Sequence, residues 1–142
     1  DYNLAAPLDI SGFAHLTKLT DLSIDGPVAS LEPISGLTGL RSLRYYGNNN
    51  YDSPGVSLAP LSSLTSLTEL YINAPVPGND LTPLSSLTEL RSLDLYIGSS
   101  QNPVRSLEPL RSLTNLTDLT VSNTADGIDT SPVAHVASLD IY

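Results

Sequence analysis

Five times along this chain, leucines recur in the pattern Leu-x-x-Leu-x-x-Leu-x-(Ile/Leu/Val/Tyr). The copies are Leu16-Leu19-Leu22-Ile24, Leu37-Leu40-Leu43-Tyr45, Leu64-Leu67-Leu70-Ile72, Leu87-Leu90-Leu93-Leu95 and Leu113-Leu116-Leu119-Val121. A partial copy, Val136-Leu139-Ile141, follows. The starting positions lie 21, 27, 23, 26 and 23 residues apart. Self-similarity at such a period predicts a solenoid of stacked coils, each touching only its neighbours. It places function on a repeated surface and not in a single pocket.

A second shared block precedes each motif. Six residues before the start stand Ile10, Leu31, Leu58, Leu81, Leu107 and Thr130; three before it stand Phe13, Ile34, Leu61, Leu84, Leu110 and Val133. Pro33, Pro60, Pro83, Pro109 and Pro132 recur between them, with Gly12 in the first copy. Proline cannot donate a ladder hydrogen bond, so it marks a turn on the side away from the strands. Amphipathic α-helices are the competing reading, but steps of three slip by roughly 60° each and smear the leucines around half a cylinder. The alternation that ends each motif, as in Leu70-x-Ile72 and Leu93-x-Leu95, is a strand signal.

Phrases such as Leu58-Ala-Pro-Leu-Ser-Ser-Leu-Thr-Ser-Leu-Thr-Glu-Leu-Tyr-Ile72 and Leu107-Glu-Pro-Leu-Arg-Ser-Leu-Thr-Asn-Leu-Thr-Asp-Leu-Thr-Val121 resemble bacterial leucine-rich repeats of the internalin type. The resemblance covers nearly the whole chain. It implies an α/β solenoid with a parallel β-sheet on one face and short 3-10 or irregular turns on the other. It also implies a secreted or cell-surface protein. The family's turn asparagine is kept only at Asn48; Pro27, Pro75, Gly98 and Thr124 hold the equivalent positions. Residues 1–142 are expected to form one array of about five full repeats, with partial repeats at both ends.

A single repeat is not expected to fold alone. It carries about six core residues, each contributing roughly 1.5–3 kcal/mol on burial. Against this stand more than twenty residues, each costing roughly 1–2 kcal/mol of backbone entropy. The net charge of −9 argues against nucleic acid and anionic lipid as partners. With no cysteine there is no disulfide and no thiolate nucleophile or metal ligand. No apolar stretch is long enough to cross a membrane, and none is expected to act as a signal peptide. The first residue is Asp1, so the chain is expected to be a processed form or a piece of something longer.

If the strands alternate as predicted, their outward residues form three columns. The first reads Asp21, Ser42, Glu69, Ser92, Asp118, Ser138; the second Ser23, Arg44, Tyr71, Asp94, Thr120, Asp140; the third Asp25, Tyr46, Asn73, Tyr96, Ser122, Tyr142. Tyr46, Tyr71 and Tyr96 are therefore predicted to cluster, flanked by Arg44, Glu69, Asn73 and Asp94. Tyrosine and arginine are common interface anchors, and tyrosine also stacks on sugar rings. A ligand-binding face for a protein or glycan is the expectation; cross-strand pairing that stabilises the sheet is its companion.

Other signals are weaker. Asn115-Leu116-Thr117 is an acceptor pattern for N-glycosylation, though such patterns match often by chance. Serine and threonine between the leucines read as small polar filler, with O-glycosylation the alternative. Asp126 and Asp129 beside Gly127 do not have calcium-loop spacing and read as turn formers. His15 and His135 occupy equivalent places in two distant copies, which suits neither a catalytic triad nor a paired-histidine metal site. The chain is therefore expected to be non-enzymatic and to need no cofactor or metal. Tyr2-Asn-Leu4 reads like a strand, as does Leu139-Asp-Ile141, and neither has a polar cap. Such ends are expected either to continue into a longer surface protein or, as the second functional reading, to let copies of the chain stack head to tail into a filament through Tyr2, Leu4, Leu139 and Ile141.

Overall fold

A computed structural model describes residues 6–48, 50 and 53–142. Among them, parallel strands form one sheet in chain order: β1 (Asp21–Asp25), β2 (Ser42–Tyr46), β3 (Glu69–Asn73), β4 (Ser92–Tyr96), β5 (Asp118–Val121) and β6 (Ser138–Ile141). The register follows the sequence motif without a slip. Leu22, Leu43, Leu70, Leu93, Leu119 and Leu139 align across the sheet, as do Ile24, Tyr45, Ile72, Leu95, Val121 and Ile141. Short 3-10 helices return the chain on the opposite side, at Ser11–His15, Glu32–Ile34, Ala59–Ser63, Thr82–Ser86, Glu108–Leu110 and Ser131–Val133. The predicted solenoid is the observed fold.

The spacing of three now has a physical cause. Leu61, Leu64 and Leu67 each donate the backbone N–H to the carbonyl of the leucine three residues earlier, at 2.9, 3.0 and 3.1 Å. Side chains three apart eclipse in such turns, so one edge of the winding carries every leucine into the core. Leu61, Leu64, Leu67, Leu84, Leu87, Leu90 and Leu93 are all fully buried. The recurrent prolines sit in the first turn of the 3-10 helices, where a missing N–H leaves nothing unsatisfied.

One residue ahead of each helix N-cap, a side-chain oxygen accepts the N–H two residues on. Asp9, Ser30, Ser57, Asp80, Ser106 and Asp129 all do this, at 2.9–3.2 Å. These Asx and Ser turns fix where each helix starts. Asp129 is therefore a turn former, as its sequence context suggested. For Asp9 and Asp80 the hydroxyls of Ser11 and Thr82 hold the carboxyl below its ordinary value; for Asp129 the Ser131 backbone N–H leads. A depressed folded pKa gives stability that is complete above the unfolded value of about 3.9 and is lost as pH falls through the folded values. Urea midpoints are therefore expected to drop on acidification below about pH 4. The triple variant D9N/D80N/D129N keeps the acceptor oxygens and should shrink that drop. Glu108, held low by Arg111, accounts for part of the remainder.

The serines between leucines are more than filler. Ser63, Ser86 and Ser112 donate their hydroxyls to the carbonyls of Ser35, Ser62 and Ser85 in the preceding coil, at 2.6, 2.7 and 2.7 Å. Thr68 and Thr117 reach the Arg41 and Arg91 carbonyls at 3.1 and 3.0 Å in the same way. His135 occupies the place of these serines, with Nε2 2.8 Å from the Leu113 carbonyl oxygen. Polar residues on the turn side thus tie coil to coil where the sheet cannot.

The sixth coil is short. Leu139 aligns with Leu119 across the sheet, yet Val136 N–H bonds Val133 as Leu113 N–H bonds Leu110. One three-residue turn is absent between the helix and β6. In the first coil, Leu16 is 44% exposed and Leu22 is half-buried, because among the described residues a neighbouring coil covers only one side of them.

Candidate interaction face

The outward columns stand where strand alternation puts them. Tyr71 lies diagonally between Tyr46 and Tyr96, which flank Asn73 in the register. The ring centroids of Tyr46 and Tyr71 are 4.8 Å apart at an interplanar angle of 38°, and those of Tyr71 and Tyr96 are 5.3 Å apart at 40°. Spacing of 4.5–7 Å with a tilt is the favourable range for aromatic pairs. All three rings are half-buried by one another and keep an exposed edge or face. The predicted pairing is thus real, and it leaves a continuous aromatic stripe across β2, β3 and β4.

Carboxylates ring that stripe. Asp21, Asp25, Glu69, Asp94, Asp118 and Asp140 lie on the outward columns, with Arg44 the single basic residue among them. Arg44 meets Glu69 at 3.8 Å, and the Ser42 hydroxyl donates to the same carboxylate at 3.4 Å. Thr20 and Thr117 donate to Asp21 and Asp118, each at 2.7 Å. Short hydroxyl donors thus hold several of these side chains in place. The phenols of Tyr71 and Tyr96 are raised above the ordinary tyrosine value, first by desolvation within the stripe. Asp94 adds to both shifts through its negative charge.

Tyr142 extends the stripe, which the column alignment signalled but the predicted site left out. After desolvation, its phenol adds to the upward shift at Tyr96. Ser122, expected to point outward between them, does not. Strand β5 ends at Val121, and Ser122 is buried, its hydroxyl donating to the Ile97 carbonyl at 3.4 Å. That carbonyl is a loop acceptor that no strand partner satisfies, so the small polar side chain turns in to it. Asn123 does the same from the next position, donating to the Ile97 and Gly98 carbonyls.

The remaining sequence-derived sites fall elsewhere. Asn115 is exposed on the turn side, and its Nδ2 donates to the Thr88 carbonyl at 2.9 Å. Leu139 is 38% exposed and Ile141 is half-buried on β6; Tyr2 and Leu4 lie outside the described residues. Among the described residues no three His, Cys, Asp or Glu side chains are grouped to hold a metal, and no helix is long and apolar enough to cross a membrane.

Solved structures share this architecture. Internalin C2 from Listeria monocytogenes superposes with a TM-score of 0.69 at 26% identity, covering 94% of this chain and 56% of its own. An internalin (inlF) from the same species gives a TM-score of 0.56 at 30% identity, covering 94% of this chain and 43% of its own. A leucine-rich-repeat protein of Leptospira interrogans has the same fold, with a TM-score of 0.65 at 20% identity over 96% of this chain. The chain spans about half the length of the two internalins. No family model matches it, and no curated protein sequence does.

Proposed function

Because the chain is an internalin-like leucine-rich-repeat protein of bacterial type, we propose that it is a non-enzymatic interaction module, displayed outside the cell, whose outward strand face docks a protein. The tyrosine stripe carries this reading. Three mutually packed rings on exposed strands present a rigid aromatic surface at little entropic cost. An internal core residue needs no such placement, since the apolar spine lies on the other side of the same strands. A glycan is the alternative ligand for the same face.

The double variant Y71A/Y96A tests the face. An array of immobilised glycans and a panel of recombinant extracellular protein domains provide the ligands. Ligands of the wild-type chain should lose roughly 100-fold or more in affinity to the variant, as expected when hot-spot aromatics are removed. The variant should remain folded, with a cost of about 1–3 kcal/mol for two lost aromatic pairs. Ligands that bind both forms equally would show the tyrosines to be sheet reinforcement only.

A further inference from the structure

We propose that the partner of this face is a protein surface that presents clustered arginine or lysine side chains; this rests on the reading of the face as a docking site. The argument is charge complementarity around aromatic rings. Six carboxylates and one guanidinium lie on the outward columns, and that guanidinium, Arg44, is already turned to Glu69. Asp94 faces the stripe from the same column as Tyr71, one strand on. Glu69 precedes Tyr71 by two residues on the same strand and face, and Asp118 and Asp140 continue the negative field across β5 and β6.

A cation arriving over the rings would meet two attractions at once. The face of a tyrosine ring attracts a guanidinium or ammonium within about 6 Å of its centroid. The surrounding carboxylates then supply ion pairs with bidentate geometry for arginine. An acidic ligand, or a neutral one of equal size, would gain only the stacking. The field reaches beyond contact, since the whole chain carries −9, and it should speed association with a basic partner at low salt.

The probe is the peptide acetyl-Arg-Gly-Arg-Gly-Arg-amide, titrated into isotope-labelled chain and followed by NMR. Its isosteric citrulline counterpart serves as the uncharged control. The arginine peptide should shift the ring signals of Tyr46, Tyr71 and Tyr96 in a saturable manner, and the citrulline peptide should bind at least tenfold more weakly. The variant E69Q/D94N/D118N should lose tenfold or more for the arginine peptide while keeping its melting temperature within a few degrees. Affinity should also fall as sodium chloride rises from about 50 to 500 mM. Equal binding of the two peptides would overturn the cationic assignment, as would full binding by the carboxylate variant. If glycans from the array bind through Tyr71 and Tyr96 while the arginine peptide leaves the rings unshifted, the face stands and the basic partner falls. If instead Y71A/Y96A binds every ligand as the wild type does, the docking face itself falls.

Discussion

Replacing Leu93 by alanine is expected to destabilise the chain by about 2–5 kcal/mol, the range for truncating a fully buried leucine that its surroundings cannot refill. Leu93 is inaccessible to solvent and sits in β4 between Leu70 and Leu119 on the neighbouring strands. A void there removes contacts from two coil interfaces together. Stability in a solenoid is close to a sum of coil and interface terms, so the loss should open the array near β4 and not melt it evenly. The melting temperature should fall by on the order of 10 °C. Hydrogen exchange should rise first in β3, β4 and β5. The same change at Leu139, which is 38% exposed on β6, should cost only about 1–2 kcal/mol, since more than a third of that residue already faces water. Equal losses at the two positions would contradict the stacked-coil account of stability.

Gly55→Ala is expected to be comparably severe for a different reason. Gly55 has φ of +74°, a left-handed conformation, and a Cβ there would lie 2.5 Å from the Pro75 carbonyl carbon. That approach is fixed by Val56, whose N–H donates to the Pro75 carbonyl at 3.0 Å and so clamps two loops together. Backbone atoms on both sides leave no flexible group to yield. The left-handed conformation costs about 1–2 kcal/mol and the overpacking about 1–3 more. Gly78 is the internal control: its φ is +62°, but nothing lies within 4 Å of its Cβ position. Gly78→Ala should therefore show only the conformational part. Urea denaturation of the two variants separates the contributions, and identical midpoints would mean that the Gly55 contact relaxes freely.

A related adjustment shows how one odd residue is housed. Tyr45 stands where the other copies have Ile, Leu or Val, and it is buried. Its hydroxyl accepts the Val28 N–H at 3.3 Å, and burial raises its pKa. Gly47 makes room: a Cβ there would come 2.8 Å from that hydroxyl and 2.7 Å from the Ala74 Cβ. The pattern of leucines places position 45 in the core, but only the packing shows that the extra ring and hydroxyl are tolerated because its neighbour has no side chain.

The sequence alone determined the winding. Leucines spaced by three, followed by one alternation, leave no register but the observed one, because a one-residue slip would turn Leu70 and Ile72 to water. It also determined that Tyr46, Tyr71 and Tyr96 share a face, since strand alternation is a local geometric fact. What lay beyond it were contacts between residues more than twenty positions apart: the serine bonds from coil to coil and the inward turn of Ser122 to Ile97. Those depend on which loop carbonyls lack a strand partner and on how far one coil's edge lies from the next. Only the stacked coils bring such groups together, so they were decided in three dimensions.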